Sequence, residues 1–328
     1  MEDMASHSSL FEDPICTTYG GLEVWEVGPP TQGITALIGL NILEVANKAH
    51  GDNDPLGNDC SALHRRIEST RLAFADALSY IADTQVTNVD TAALLDKDYA
   101  ARRAQVIQPR LASKITAGQP TASEGGNETV YFCCVDGDGN GCSMINSNYM
   151  GFGTGIVPER CGFTLHNRGH NFSLVKEHPN CLAPNKRPYH TIIPGMCTYG
   201  PGSTSLANCF GVMGGFMQPQ GHIQVISNML DLGMDPQEAL DAPRYRVDDV
   251  GDSASDADVL TSKVSLEEGF SSDCVDELEN FGHEVKWPIT SYQRCELFGR
   301  GQIITRDPKS GVLCGGSDPR ADGLAIGW

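Results

Sequence analysis

The chain has 328 residues, 40% of them hydrophobic, and a formal charge of −19 from 23 Lys+Arg against 42 Asp+Glu. That length can bury a sizeable core. The acidic balance, with no extended basic stretch, excludes a phosphate-backbone partner, so no nucleic acid is expected. The first residues, Met1-Glu-Asp-Met-Ala-Ser-His7, are acidic and lack an apolar core, which predicts no signal peptide and a cytoplasmic location. The longest apolar-rich stretch, residues 34–46, is broken by Thr, Gly, Asn and Glu and is not a membrane span. Twelve cysteines include no CxxC pair and no zinc-type Cys/His spacing, so buried free thiols are the default and no metal or cofactor is expected.

In chain order, Ile34, Leu37, Ile38, Ile42 and Val45 recur at helical spacing, with Thr31 as a cap after Pro29-Pro30. A second helix runs through Leu63, Ile67, Phe74, Leu78 and Ile81, with His64, Arg65, Glu68 and Asp76 on its other face. A third follows Asp90, and one strand completes the expectation for residues 1–128. Residues 111–128 read as a loop, with Gly118, Pro120, Gly125 and Gly126. Residues 129–136 and 141–149 flank the turn Gly137-Asp-Gly-Asn140 as a β-hairpin, which puts Cys133 and Cys134 on opposite faces. Short strands are expected in residues 188–196 and 198–213. A helix through Ile223, Ile226 and Leu230 ends near Gly233, and another starts at Pro236. A capped helix over 272–280, a strand over 284–287 and a hairpin of 302–306 with 312–315 close the chain. Helices, then strands, then helices suit sheets covered by helical layers, an α+β fold.

Thr129 stands where a polar, Gly-rich approach meets an apolar strand. Self-cleavage between Glu128 and Thr129 would make it a new N-terminus. Its hydroxyl would then be a nucleophile, and its freed α-amine, titrating at about pH 8, the general base. The plain alternative is a β-branched residue that opens a strand.

Further motifs follow in order: Gly151-Phe-Gly-Thr-Gly-Ile-Val157, Asn167-Arg-Gly-His-Asn-Phe172, Ala183-Pro-Asn-Lys-Arg-Pro188, Gly214-Gly215, Asp241-Ala-Pro-Arg244 and Gly316-Ser-Asp-Pro-Arg320. With the Thr129 hairpin, this order resembles the gamma-glutamyltranspeptidase family of N-terminal-nucleophile hydrolases, closest to its oxamate amidohydrolase and acylase-like branch. Thr17-Thr-Tyr-Gly-Gly-Leu-Glu-Val24 and Pro29-Pro-Thr-Gln-Gly-Ile34 look like the last part of the family's large subunit.

The resemblance implies a four-layer αββα sandwich lacking part of its N-terminal region. Residues 1–128 would be a remnant of the large subunit, and 129–328 the small subunit that starts at the nucleophile. It implies Thr129 as nucleophile and, with Glu128, as cleavage site, Ser147 as the hydroxyl that orients it, and Gly214 and Gly215 as oxyanion donors. The substrate-reading positions depart from the transpeptidases. Asn171 stands where they carry an acidic residue for an α-amine, Arg168 replaces a Gln, His190-Thr191 replaces paired serines, and Tyr149 replaces an Asn. Losing an anion opposite an ammonium removes a charge-assisted hydrogen bond of roughly 1.5–3 kcal/mol. Arg168 and His190 favour an anionic acyl group instead.

The implied function is a threonine-nucleophile amidohydrolase or acyltransferase acting on a small-molecule amide, with no membrane partner. Two alternatives stand beside it: a gamma-glutamyl hydrolase or transferase acting on glutathione or its conjugates, and a truncated, non-catalytic homologue. The apolar strand after Thr129 needs cover, so a homodimer or a complementing chain is expected.

Overall fold

A computed structural model of the chain describes residues 8–50, 59–116, 127–248, 259–260 and 262–328. The strands are β1 (Ile15–Tyr19), β2 (Leu22–Glu26), β3 (Ile115–Thr116), β4 (Asn127–Val135), β5 (Gly141–Met150), β6 (Gly195–Tyr199), β7 (Leu206–Met213), β8 (Tyr245–Val247), β9 (Val259–Leu260), β10 (Lys263–Glu267), β11 (Glu284–Ile289), β12 (Arg300–Arg306) and β13 (Leu313–Ser317). The helices are α1 (Gly33–His50), α2 (Cys60–Tyr80), α3 (Thr91–Leu95), α4 (Lys97–Ala104), α5 (Met217–Asp231), α6 (Pro236–Asp241), α7 (Ser272–Asn280) and α8 (Ser291–Leu297). No helix among the described residues is long and apolar enough to cross a membrane.

Side-chain oxygens start several helices. Asp59, Asp90, Asp96 and Ser271 each accept a backbone N–H of the first turn of α2, α3, α4 and α7. Asp235 and Glu238 form a reciprocal capping box at α6. Two short helices stand where the sequence predicts one after Asp90.

The central sheet runs β1-β2-β6-β7-β12-β13, antiparallel throughout. The N-terminal part therefore supplies a full hairpin, β1–β2, where the sequence suggests one strand. The turn Gly20-Gly21, both residues at positive φ, closes it. Strands from both sides of position 128 share this sheet.

The two faces of β7 carry different layers. A Cβ at Gly221 of α5 would lie 2.6 Å from Val212, so helix and sheet meet at contact distance. On the other face a Cβ at Gly211 would lie 2.4 Å from the Tyr131 ring, which brings the β4–β5 hairpin onto β7. Helices, the six-stranded sheet and the hairpin are thus stacked. Val130, Phe132 and Met144 on the hairpin's outer face are exposed, and no second helical layer covers them among the described residues. A three-stranded sheet, β11-β10-β8, packs beside α2 and α7.

The polar face of α2 is not a wet face. His64, Arg65, Glu68 and Asp76 are all buried, because each has an internal partner. His64 Nε2 donates to Gln108 O at 2.8 Å, which leaves Nδ1 to accept from His283 Nε2, also at 2.8 Å. Burial lowers the pKa of both rings, that of His283 to about 4, so the pair is neutral. Glu68 pairs with Arg71 and accepts the Ser113 N–H, and Asp76 pairs with Arg103 at 2.9 Å.

The Asp241–Arg244 and Gly316–Arg320 motifs meet in a buried ion network. Asp318 binds Arg244 at 2.7 Å and Arg320 at 3.0 Å, and Arg320 also holds Glu267. Asp318 accepts the Gly301 N–H at 2.8 Å, and Arg244 donates to Phe298 O at 2.9 Å. Burial opposes the Asp318 charge, but the two arginines outweigh it and hold its pKa below the ordinary value. A depressed carboxylate pKa adds stability above the unfolded value, and this is lost as pH falls through the folded one. Asp318→Asn is expected to cost about 3–5 kcal/mol in urea unfolding, since it leaves two buried guanidinium groups under-compensated. A loss below about 1 kcal/mol would contradict this role.

Candidate active site

The site begins with the register of β4 and β5. Thr129 lies opposite Ser147, while Glu128 lies opposite Tyr149, so Asn148 is an extra residue on β5. Such a bulge bends its strand and re-aims neighbouring side chains. The interrupted ladder falls at the Glu128–Thr129 peptide bond. The strand itself starts at Asn127, two residues before Thr129. Residues 117–126, the core of the expected processing linker, lie outside the described residues.

Thr129 is buried, and its Oγ1 donates to Ser147 Oγ at 3.0 Å. Ser147 Oγ also accepts the Tyr149 N–H at 2.9 Å. Tyr149 makes that bond from φ 81°, the left-handed region that a non-glycine residue rarely adopts. The loop after β5 is stitched back onto it: Asn167 Oδ1 accepts Met150 N–H at 3.1 Å, and Asn148 Nδ2 donates to Thr164 at 2.8 Å.

Thr129, Val130, Asn146 and Ser147 form one wall of a cavity of about 920 Å³. Phe163, Thr164, Leu165 and His166 form another, and Met213 and Arg300 close a third side. Burial and nearby Arg168 lower the His166 pKa, so its ring is neutral near pH 7. Arg300 is therefore the one fixed charge among the described lining residues.

The five residues expected to read substrate, Tyr149, Arg168, Asn171, His190 and Thr191, are not among the residues that line this cavity. Arg168 is fully buried and donates to Thr191 Oγ1 at 2.7 Å and to Ser147 O at 3.2 Å. Its guanidinium lies 5.6 Å from the centre of the buried Tyr149 ring. Burial lowers its pKa to about 10, which still leaves it charged. Asn171 donates to Tyr189 O at 3.0 Å and is likewise buried. His190 is half-buried, with its pKa pushed well down by burial and by Arg168, and its backbone pairs with Thr31. Arg168 and the Tyr149 N–H thus hold Ser147, with Thr191 bonded to Arg168 in turn, and none of these three residues lines the cavity.

Gly214 and Gly215 form the turn between β7 and α5, at φ 136° and 57°. They directly follow the cavity residue Met213. A Cβ at Gly214 would meet Gly299 Cα at 3.1 Å, so this approach requires glycine. Gln32 ties the region together, donating from Nε2 to Thr191 O at 2.6 Å and to Gly215 O at 2.7 Å. The sequence reading missed Gln32, His166 and Arg300. Only Gln32 lay in a quoted motif, Pro29 to Ile34, and nothing local marks the other two.

The gamma-glutamyltranspeptidase family model matches residues 1–328, and the chain belongs to that family. It is 32% identical over 330 residues to the glutathione hydrolase-like YwrD proenzyme of Bacillus subtilis, covering 100% of this chain and 58% of the relative. It is 31% identical over 326 residues to the oxamate amidohydrolase proenzyme of Klebsiella pneumoniae, with 99% and 57% coverage. Among solved structures, the cephalosporin acylase of Bacillus halodurans superposes with a TM-score of 0.84 at 40% identity, covering 100% of this chain and 55% of that one. The chain therefore spans little more than half the length of these relatives.

Proposed function

We propose that this chain carries the catalytic half of an amidohydrolase whose nucleophile is the Thr129 hydroxyl. One observation carries the reading: a buried threonine hydroxyl is aimed at a second hydroxyl, at a strand bulge beside a large cavity. In the first step, Oγ1 attacks the Glu128 carbonyl carbon, the Glu128–Thr129 C–N bond breaks, and an ester replaces the amide. The hydroxyl proton passes to the departing nitrogen, which becomes the free α-amine of Thr129, and water then hydrolyses the ester to the Glu128 carboxylate and the restored Thr129 hydroxyl. In turnover this amine takes the hydroxyl proton while Oγ1 attacks the substrate amide. The oxyanion forms beside Gly214-Gly215, the leaving amine takes the proton, and water releases the acyl group.

The division into a large-subunit part up to residue 128 and a small-subunit part from Thr129 belongs to the same proposal. So does the four-layer sandwich, in which further polypeptide, from a longer chain or a second one, covers Val130, Phe132 and Met144. The relatives' greater length supports this, as does their naming as proenzymes.

Purified protein is expected to convert to fragments of roughly 14 and 21 kDa, scaled from length, while Thr129→Ala stays a single band. Folded wild-type protein that remains uncut for days would remove the catalytic reading and leave the non-catalytic one.

A small amide without an α-amine fits the cavity better than a γ-glutamyl group, because no lining residue described is Asp or Glu. An ammonium there would go without a charge-assisted bond of about 1.5–3 kcal/mol. Cleavage of an oxamate-like amide is therefore expected to exceed glutathione hydrolysis by about tenfold to a hundredfold in kcat/KM. Efficient glutathione hydrolysis would overturn this preference and favour the glutathione reading.

A further inference from the structure

Arg300 is held in the cavity by backbone that has little freedom to move. It follows Gly299, which sits at φ 67° and where a Cβ would come 2.3 Å from Met213 O. The Phe298 carbonyl before that glycine accepts from buried Arg244. The Gly301 N–H after Arg300 is bound by Asp318, and a Cβ on Gly301 would come 2.6 Å from Leu240. Residues on both sides are therefore pinned to the buried ion network, and Arg300 pairs in register with the cavity residue Met213. Strand alternation turns its side chain to the face opposite Gly301, into the cavity that holds Thr129.

The charge at this point is unusual for the molecule. The whole chain carries −19, yet the cavity lining described contains Arg300 and no carboxylate. Among the described residues the Arg300 guanidinium has no hydrogen-bond or ion-pair partner. Arg168, buried behind the Ser147 wall and bonded only to neutral oxygens, adds a positive field from the other side. A half-buried guanidinium with its donors unspent is suited to bidentate capture of a carboxylate.

We infer that Arg300 binds a carboxylate on the acyl part of the substrate, so that the site takes acyl groups ending in an anion. Arg300 is then a specificity residue, paired in register with Met213 just before the glycine turn and lining the same cavity as Thr129. This rests on the amidase reading and adds the residue that selects the substrate.

The test compares the mono-4-nitroanilide of glutaric acid, which keeps one free carboxylate and is anionic, with the 4-nitroanilide of butyric acid, which is neutral. Wild-type enzyme is expected to favour the glutaryl compound by about tenfold to a hundredfold in kcat/KM. Arg300→Met should bring that ratio close to one, Arg300→Lys should keep part of it, and Arg110→Met, at an exposed position, should keep all of it. An unchanged ratio in Arg300→Met, or a wild-type ratio near one, overturns the inference while leaving the amidase reading intact. Should neither compound be cleaved, the amidase reading fails by itself, and calorimetric titration with glutarate decides the site. Binding that weakens at least about tenfold in Arg300→Met supports the assignment. Equal binding by both proteins, or none, overturns it.

Discussion

The hydroxyl pair Thr129–Ser147 is set by strand register, and the rest of the site is arranged around that pairing. Strand side chains alternate faces, so a slip of one residue would carry Thr129 to the outer face, where Val130 now lies exposed. Three features oppose such a slip. Tyr131 locks into the space over Gly211, the Asp136–Asn140 turn fixes the hairpin end, and the Asn148 bulge absorbs one residue at the other end. Tyr149 then donates its N–H to Ser147 from a backbone conformation that only a well-packed surrounding sustains.

Two buried polar systems support the elements that line the cavity. On the hairpin side, Arg168 and Gln32 connect Ser147, Thr191 and Gly215. On the β12 side, Arg244, Asp318, Arg320 and Glu267 fix the approach to Arg300. Each pairs charge or carbonyl groups that would be costly to bury alone. The Thr129 hydroxyl, the glycine turn and the single cation among the described lining residues therefore sit on well-braced backbone, as a preorganised site requires.

Much of the fold was legible where a local signal and the final structure agree. The β4–β5 turn, the capped helix α7, the start of α6 at Pro236 and the β12–β13 hairpin all announce themselves within a few residues. The β1–β2 hairpin was missed because its five-residue strands are too short for a clear alternation. The burial of the polar side of α2 was not legible, because its partners, Gln108, Ser113 and His283, lie far along the chain. Cysteine burial was over-read: Cys60, Cys197, Cys209 and Cys274 are buried, whereas Cys134, Cys142 and Cys314 are exposed. For the site, Thr129 and Ser147 could be singled out from motifs, and the structure brings them together on the cavity wall, with Gly214-Gly215 following the lining residue Met213. Arg168 could be named but not aimed, since only three dimensions show it buried behind Ser147 and bonded to Thr191 and to the Ser147 carbonyl. Arg300 carries no motif at all, because its place depends on Gly299 and on a network closed by residues tens of positions away.

The central claim is that acyl groups pass through the Thr129 hydroxyl. Mass spectrometry of the protein quenched in acid during turnover of a slow amide substrate tests it most directly. The account predicts a stoichiometric acyl adduct on a peptide whose first residue is Thr129, absent from Thr129→Ala. An adduct mapped to any other residue, or full turnover with a peptide still joined through Glu128, would contradict it.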